Sequence, residues 1–319
     1  MKLRTTSSQR TRKLKTTGRA ISARPVVSSL RTEQPNPSSA EIDALDTLGI
    51  LTTIQKQDAT VPAAVALALP EIARAVETVV RAIRRGGRLI YVGAGTSGRI
   101  AVMDAAECPP TFGVTPNTVQ AVIAGGRTAL TEATERTEDD EQQARHDLAS
   151  RKVGTHDVVI GLAASGRTPY TIAALQFARS RRAVTVAITS NPGSPITRAA
   201  RISIVVNTGP EVVAGSTRMK AALAQKMVLH MISTASMIRL GHVYRNYMVG
   251  VRPTNQKLIA RASTIIQSVS GIDETAAEKA LQRAGRNVKL AILMLQTGLN
   301  RIAAQKLLNR YHGNLRAIP

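Results

Sequence analysis

The sequence has one cysteine, no tryptophan and few aromatic residues, which make up 2% of its 319 residues. A single cysteine, Cys108, excludes an internal disulfide, and the five histidines lack the cysteine partners or close pairing of a zinc site. No apolar run approaches the roughly 20 residues that a membrane-spanning helix needs. The composition therefore predicts a soluble protein of the reducing cytoplasm, without structural zinc and without a membrane-spanning helix.

Acidic residues are also scarce, since 21 of them face 43 lysines and arginines, for a net charge of +22. Nine of the basic residues fall within residues 1–31, and removing their charge from +22 leaves +13 on the remainder. Without aromatic side chains for base stacking, this charge does not indicate specific nucleic-acid binding. A basic body is instead consistent with an anionic substrate.

The first segment, residues 1–37, is rich in serine, threonine, arginine and lysine and has no hydrophobic periodicity. This composition predicts a basic, disordered tail. A segment rich in arginine and free of acids also fits an organelle transit peptide, and a misassigned start is a further alternative.

The central segment, residues 38–269, alternates helical and β-rich patterns. Ser38 followed by Glu41 predicts a capped helix that runs on through residue 48, and a second helix follows from Pro62. Five β-rich runs follow at 88–92, 119–124, 157–162, 184–188 and 202–206. Their near-continuous apolar character predicts an α/β fold, a mainly parallel five-stranded sheet between two helical layers. Ligands bind such sheets at the carboxyl ends of the strands.

Beyond the sheet, helices are predicted at 216–240 and 255–268, and these could pack against a second subunit. Three short amphipathic segments then occupy 274–284, 288–296 and 301–310. We expect residues 270–319 to form a small three-helix module.

Two loops rich in glycine and hydroxyl groups follow the first and third predicted strands, at residues 93–99 and 163–169. Such loops at a helix start let backbone N–H groups approach a phosphate. Their candidate contacts are Thr96, Ser97, Ser165 and Thr168. Ordinary strand-to-helix turns with capping hydroxyls are the alternative. Neither loop has the lysine of a P-loop, and the first lacks the acid that follows a dinucleotide fingerprint.

Longer motifs accompany these loops. They are 104–113 (Asp-Ala-Ala-Glu-Cys-Pro-Pro-Thr-Phe-Gly), 123–126 (Ile-Ala-Gly-Gly), 209–220 (Gly-Pro-Glu-Val-Val-Ala-Gly-Ser-Thr-Arg-Met-Lys), 224–226 (Ala-Gln-Lys) and the matching positions of 32–43. In order and spacing they resemble the N-acetylmuramic acid 6-phosphate etherase family, lyases of the sugar isomerase (SIS) fold. The resemblance extends from Thr32 to the carboxyl terminus.

The resemblance implies a homodimer whose sites use both chains, a helical C-terminal module, and recycling of cell-wall amino sugar in the cytoplasm without metal or cofactor. It also implies that Glu107 and Glu138 are the catalytic carboxylates, with Glu107 as proton donor. In the open-chain sugar, we expect Glu138 to take the C2 proton and Glu107 to protonate the leaving ether oxygen. Without the resemblance, Glu107 is an ordinary helix-end acid and Glu138 is part of a solvated acidic run.

Weaker candidates for sugar or phosphate contact are Glu211, Ser216 and Lys220, which could act across the dimer. Lys220 is equally well explained as a solvated helix residue. Cys108, with no nearby histidine, is interpreted as a small buried side chain and not a nucleophile.

The sequence departs from the family pattern near several motifs. Ala106 replaces a serine, Arg127 an acid and Ala222 a glycine, and Gly250 lies with Arg252-Pro253 in a segment that usually holds an aspartate. Three other functions stay open: a sugar-phosphate sensor without catalysis, a SIS-type transcription regulator, and an aldose-ketose isomerase. Retention of both glutamates favours the etherase over the sensor, and the lack of a helix-turn-helix pattern before the sheet disfavours the regulator.

Overall fold

The computed structural model describes residues 30–133, 135–251 and 253–319, so most of the predicted basic tail lies outside the described residues. The strands are β1 Leu89–Gly93, β2 Val119–Ile123, β3 Val158–Leu162, β4 Val184–Thr189 and β5 Ile202–Val205. The helices are α1 Thr47–Asp58, α2 Val61–Ala66, α3 Leu69–Arg84, α4 Gly95–Phe112, α5 Glu141–Ser150, α6 Pro169–Ser180, α7 Pro195–Ala199, α8 Lys220–Arg239, α9 Gln256–Ser270, α10 Glu274–Arg283, α11 Val288–Thr297 and α12 Arg301–Arg310. No helix in these ranges is long and apolar enough to cross a bilayer.

All five strands are parallel and lie in the order β2-β1-β3-β4-β5. Successive side chains of a strand point to opposite faces, so Leu89 and Tyr91 join one core while Ile90 and Val92 join the other. Helices α2, α3, α4 and α8 cover the first face, and α5, α6 and α7 cover the second. The predicted three-layer α/β SIS fold is confirmed.

The amino-terminal part differs from the prediction in two ways. Residues 30–37, assigned to the disordered tail, pack against the body, with Thr32 and Asn36 buried. The helix expected from Ser38 is instead a pair of short 3-10 turns, and α1 begins later, where Asp46 accepts a hydrogen bond from Gly49 N–H. The Ser38–Glu41 pattern was misleading because Ser38 N–H is already bound by the side chain of Asn36.

The C-terminal module has its own apolar core, and this core includes residues upstream of the predicted boundary at 270. Val249, Val251 and the buried face of α9 pack with α10, α11 and α12. Helix α9, assigned from sequence to the SIS domain, therefore belongs to a four-helix module, because its apolar side chains Ile265 and Ile266 face α10 and α11.

Candidate active site

The sheet topology predicts where a ligand binds. From β1 the chain turns through α4 to β2 on one side, and from β3 it turns through α6 to β4 on the other. Neighbouring strands whose connections leave in opposite directions open a crevice at their carboxyl ends. The two loops identified from sequence follow β1 and β3, so both border this crevice.

The loop after β1 leads directly into α4. Gly95, Thr96 and Ser97 form the first turn, and the N-cap residue Ala94 has no polar side chain to cap it. The first N–H groups of a helix have no partner within the helix, and their dipole favours an anion. Gly98 is required here, since a Cβ would lie 2.8 Å from Gly93 O and closer still to Ile123.

The loop after β3 is a tight turn fixed by a local hydrogen bond and by packing against Ser194. Ser165 Oγ accepts a hydrogen bond from Arg167 N–H at 3.2 Å. Gly166 has φ +68°, and a Cβ there would overlap the hydroxyl of Ser194. Thr168 is the N-cap residue of α6, but its side chain makes no capping bond. The Thr168 hydroxyl, at the edge of the crevice, can therefore bind a ligand.

The segment Arg31–Glu33 closes one side of the crevice. Asn191 holds it, accepting from Arg31 N–H at 2.9 Å and donating to Thr32 Oγ1 at 3.1 Å. Glu33 then reaches into the crevice and lies close to Gly215, where an added Cβ would be 2.8 Å from the Glu33 carboxylate. Glu33 was not among the predicted site residues, although it lies within the motif at 32–43.

These elements enclose a cleft of about 350 Å³. Glu138, on the 3-10 turn Glu135–Asp139, lies against Gly95, where a Cβ would be 3.0 Å from its Oε1. The described lining residues with polar side chains are Glu33, Thr96, Ser97, Arg99, Glu138, Ser165, Thr168 and Thr217. The structure therefore brings Glu138 together with all four predicted phosphate contacts.

Arg99 and Thr217 are two further lining residues that the sequence analysis missed. Arg99 donates to the carbonyls of Leu130 and Glu132, at 3.2 and 2.7 Å, and so holds the loop beside the cleft. Thr217 follows the predicted Ser216, which is half-buried but does not line the cleft. Motif position alone could not show which of two adjacent hydroxyls faces the ligand.

Glu107 lies elsewhere. It is exposed on α4, eleven residues after Thr96, so the helix rise places it about 16 Å along the axis from the phosphate loop. It lines a separate pocket of about 270 Å³ between α4 and α8, with Asp104, Cys108, Lys226, His230 and Ser233. Within one chain, the two predicted catalytic carboxylates do not face the same cavity.

The pocket around Glu107 contains a buried polar network. Asp104 Oδ2 accepts from Tyr91 Oη at 2.9 Å, and its Oδ1 accepts from Ser233 Oγ at 3.1 Å. Burial raises the pKa of Asp104, while these two hydrogen bonds act against the rise. Burial, together with the charges of Asp104 and Glu107, raises the pKa of Cys108 to about 12. Cys108 is therefore a neutral thiol at physiological pH, which agrees with its interpretation as a non-nucleophilic residue.

Glu211 and Lys220 do not line the cleft. Glu211 is fully buried, and its carboxylate accepts from the N–H groups of Lys220 and Ala221, both at 2.9 Å, at the start of α8. Lys220 is also buried, with its ammonium group 3.0 Å from Gln57 Oε1. Among the described residues, no group of three His, Cys, Asp or Glu side chains is arranged to hold a metal ion.

Comparison with curated proteins identifies the family. The chain is 50% identical over 285 residues to the N-acetylmuramic acid 6-phosphate etherase of Actinobacillus succinogenes, covering 89% of this chain and 94% of that protein. It is 50% identical over 288 residues to the etherase of Edwardsiella ictaluri, covering 90% and 96%. The chain belongs to the N-acetylmuramic acid 6-phosphate etherase family. The predicted family is confirmed, and with it the enzyme class, a carbon–oxygen lyase.

Family models of smaller units match parts of this etherase-family chain. Residues 71–179 match the N-terminal SIS domain of glucokinase regulatory protein, residues 135–235 match the SIS domain, and residues 245–291 match the C-terminal lid domain of glucokinase regulatory protein. The lid match begins before α9, as does the core of the C-terminal module.

Two solved structures align with the chain at low sequence identity. A phosphoheptose isomerase from Francisella tularensis aligns with TM-score 0.49 and 18% identity, covering 60% of this chain and 98% of that one. A phosphosugar isomerase from Bacteroides fragilis aligns with TM-score 0.48 and 19% identity, covering 63% and 95%.

One departure from the etherase family pattern has a packing explanation. Gly250 lies against the end of α4, where a Cβ would overlap Phe112 O, and a Cβ on Gly113 would likewise overlap Gly250 O. The backbones are too close for a side chain at either position. Nothing in the structure explains Ala106 or Arg127, while Ala222 is buried on α8.

Proposed function

We propose that this protein cleaves the lactyl ether of N-acetylmuramic acid 6-phosphate and releases N-acetylglucosamine 6-phosphate and D-lactate. The observation that carries the proposal is the cleft between the ends of β1 and β3, in which an uncapped helix start and five hydroxyl groups adjoin the carboxylate of Glu138. Membership of the etherase family supports the substrate. The phosphate binds at the start of α4, as helix dipoles favour.

The chemistry needs one base and one acid. Glu138 removes the C2 proton, which the C1 aldehyde of the open-chain sugar acidifies. The C3–O bond then breaks while Glu107 gives its proton to the departing ether oxygen, which leaves as the hydroxyl of lactate. Water adds at C3 of the unsaturated aldehyde, a proton returns to C2, and the product sugar forms. General acid and base groups of this kind each contribute about 10²- to 10⁴-fold in rate.

Because Glu107 lies about 16 Å from the phosphate loop along α4, we propose that a second copy of the chain supplies it to the cleft. Exposed apolar side chains support this homodimer. Helix α1 has no buried residue and exposes Leu48 and Leu51 at 71% and 57%. Beside the pocket of Glu107, Met103 and Leu223 are 46% and 37% exposed. Exposed leucines along a helix are typical of protein interfaces.

The test is D-lactate release from N-acetylmuramic acid 6-phosphate by the purified protein and by Glu107→Gln and Glu138→Gln. We expect release by the wild type and none by either variant. Mixing the two inactive variants after subunit exchange should restore about a quarter of the activity, since half of the dimers are mixed and each has one intact site. No activity in the mixture, with exchange verified, would refute the shared site.

A sensor without catalysis is the second candidate, because two of the matching family models describe glucokinase regulatory protein. A sensor would bind the sugar phosphate without releasing lactate. Tight binding of the sugar phosphate without lactate release would favour the sensor. The etherase proposal, by contrast, includes a role in cytoplasmic amino-sugar recycling.

A further inference from the structure

The pocket that holds Glu107 also holds Lys226, whose charge acts on Asp104 without forming a salt bridge to it. Lys226 lies on α8, and together with His230, one turn further on, it faces the Asp104 and Glu107 side of α4. No acidic side chain within residues 30–133, 135–251 and 253–319 forms an ion pair with Lys226. Its side chain is exposed, so its ammonium group is accessible to a ligand.

The neighbouring polar groups leave this ammonium group available. Both oxygens of Asp104 already accept hydrogen bonds from neutral hydroxyls. His230 Nδ1 lies 2.8 Å from the carbonyl of Lys226, which can only accept, so Nδ1 carries the hydrogen. That nitrogen therefore cannot accept from Lys226 Nζ, although the two lie 3.3 Å apart.

The substrate of the proposed reaction has two anionic groups at opposite ends. The phosphate occupies the loops after β1 and β3, and the second anion is the carboxylate of the lactyl group. This carboxylate is bonded to the same carbon as the ether oxygen. Any group that protonates the ether oxygen must therefore be close to the group that binds the carboxylate.

Charge makes a cation necessary at this place. Besides Glu107, which carries the proton for the ether oxygen, the pocket contains the carboxylate of Asp104, which would repel the carboxylate of an incoming lactyl group. Among the described residues lining the pocket, the basic side chains are Lys226 and His230. Lys226 presents an ammonium group that can pair with an incoming anion, whereas a neutral His230 imidazole with its hydrogen on Nδ1 offers only an acceptor at Nε2.

We propose that Lys226 binds the carboxylate of the lactyl group and so forms a subsite for the leaving group beside Glu107. This inference rests on the proposed function. It holds whichever copy of the chain supplies the phosphate cleft, because Lys226 and Glu107 belong to the same pocket. Lys226 selects ethers that bear an anionic group, and its ammonium group offsets the repulsion between that group and the carboxylate of Asp104.

The experiment compares two substrates that differ in one group: N-acetylmuramic acid 6-phosphate and its lactyl carboxamide, which has the same shape without the charge. The sugar product, common to both, is measured for wild type, Lys226→Met, Lys226→Arg and Lys279→Met. Lys279 is an exposed lysine of α10 and controls for the loss of one charge.

A hydrogen bond to a charged group is worth about 1.5–3 kcal/mol, so Lys226→Met should lower kcat/KM for the carboxylate substrate about 10- to 100-fold. For the carboxamide we expect a change of less than about 3-fold. Lys226→Arg should keep much of the preference for the charged substrate, and Lys279→Met should behave as wild type. Unchanged melting temperature and product-sugar affinity would show that the Lys226→Met cleft is intact.

Equal losses on both substrates, or no loss on either, would overturn the subsite. If wild type converts neither substrate, the etherase proposal fails, and equilibrium binding of the same two sugars decides the inference. Wild type should then bind the carboxylate sugar more tightly than the carboxamide, and Lys226→Met should abolish that difference. Equal binding of the two sugars by wild type would refute it.

Discussion

Replacing Glu211 by alanine tests whether this residue stabilises the fold or contacts the substrate. The carboxylate is fully buried and accepts from two N–H groups at the start of α8, each at 2.9 Å. Alanine leaves both donors unpaired and removes the negative charge beside the buried Lys220. Burial raises the pKa of Glu211 and lowers that of Lys220, which shows how poorly this site solvates an isolated charge.

The magnitude follows from these contacts. A buried N–H group left without an acceptor costs about 1–3 kcal/mol, so the two donors at the start of α8 together cost about 2–6 kcal/mol. For 319 residues, an unfolding entropy of about 2.1 cal/mol/K per residue makes 1 kcal/mol correspond to about 1.5 °C, so Glu211→Ala should lower the melting temperature by about 3–9 °C. Glu211→Gln keeps one acceptor oxygen and should lose less.

The assay combines thermal unfolding with steady-state kinetics at a temperature where the variant is folded. We expect a lower melting temperature and an unchanged KM, while Glu278→Ala, an exposed acid on α10, changes neither. Glu211 would be shown to bind substrate if Glu211→Ala melted within about 2 °C of wild type and raised KM about tenfold. The structural assignment of Glu211 would then be wrong.

Three further predictions follow from local geometry. Gly166→Ala should raise KM for the sugar phosphate at least about tenfold, because a Cβ cannot fit there. The control is Gly193→Ala, which has the same φ of +68° but lies in open space and should cost only about 1 kcal/mol of stability. Burial and the charge of Lys289 lower the pKa of His242 to about 4, below its ordinary 6.5. As the pH falls from 6.5 towards 4, the unfolded chain binds a proton at His242 that the folded protein does not, so the free energy of unfolding falls. Between pH 7 and 5, wild type should therefore lose about 2 kcal/mol more than His242→Gln in urea unfolding. Asp157→Asn should cost about 2–3 kcal/mol at pH 7, again by urea unfolding. Burial alone would raise the pKa of Asp157, but hydrogen bonds from Arg88 and Gly154, together with the charge of Arg88, lower it, and the stabilisation is lost as the pH falls below about 3.8.

The sequence predicted the sheet closely because its signal is local. Each strand is a short apolar run bounded by turn residues, and every predicted strand overlaps an observed one within about one residue. The amino-terminal region was predicted less well, since the short turns before α1 depend on distant partners. Ser39, for example, donates to the carbonyl of Val212, a contact that no local pattern reveals.

The candidate site divides in the same way. The loops with Thr96 and Ser165 could be placed because they follow neighbouring parallel strands. The separation of Glu107 from Glu138 could not be predicted, since motif order carries no distance between cavities. Glu211 could not be classified either, because a carboxylate that caps a buried helix and one that binds a sugar have the same sequence pattern.

The bond between Asn191 and Thr32 spans 159 residues and places Glu33 in the cleft. During synthesis the segment around Thr32 leaves the ribosome long before Asn191 and Gly215, to which it binds. Contacts of such long sequence separation form late in folding, because loop closure opposes them. A nascent chain that ends before Asn191 therefore lacks the contact that holds Glu33 at the cleft, and the cleft can be completed only once more than half of the chain has been synthesised.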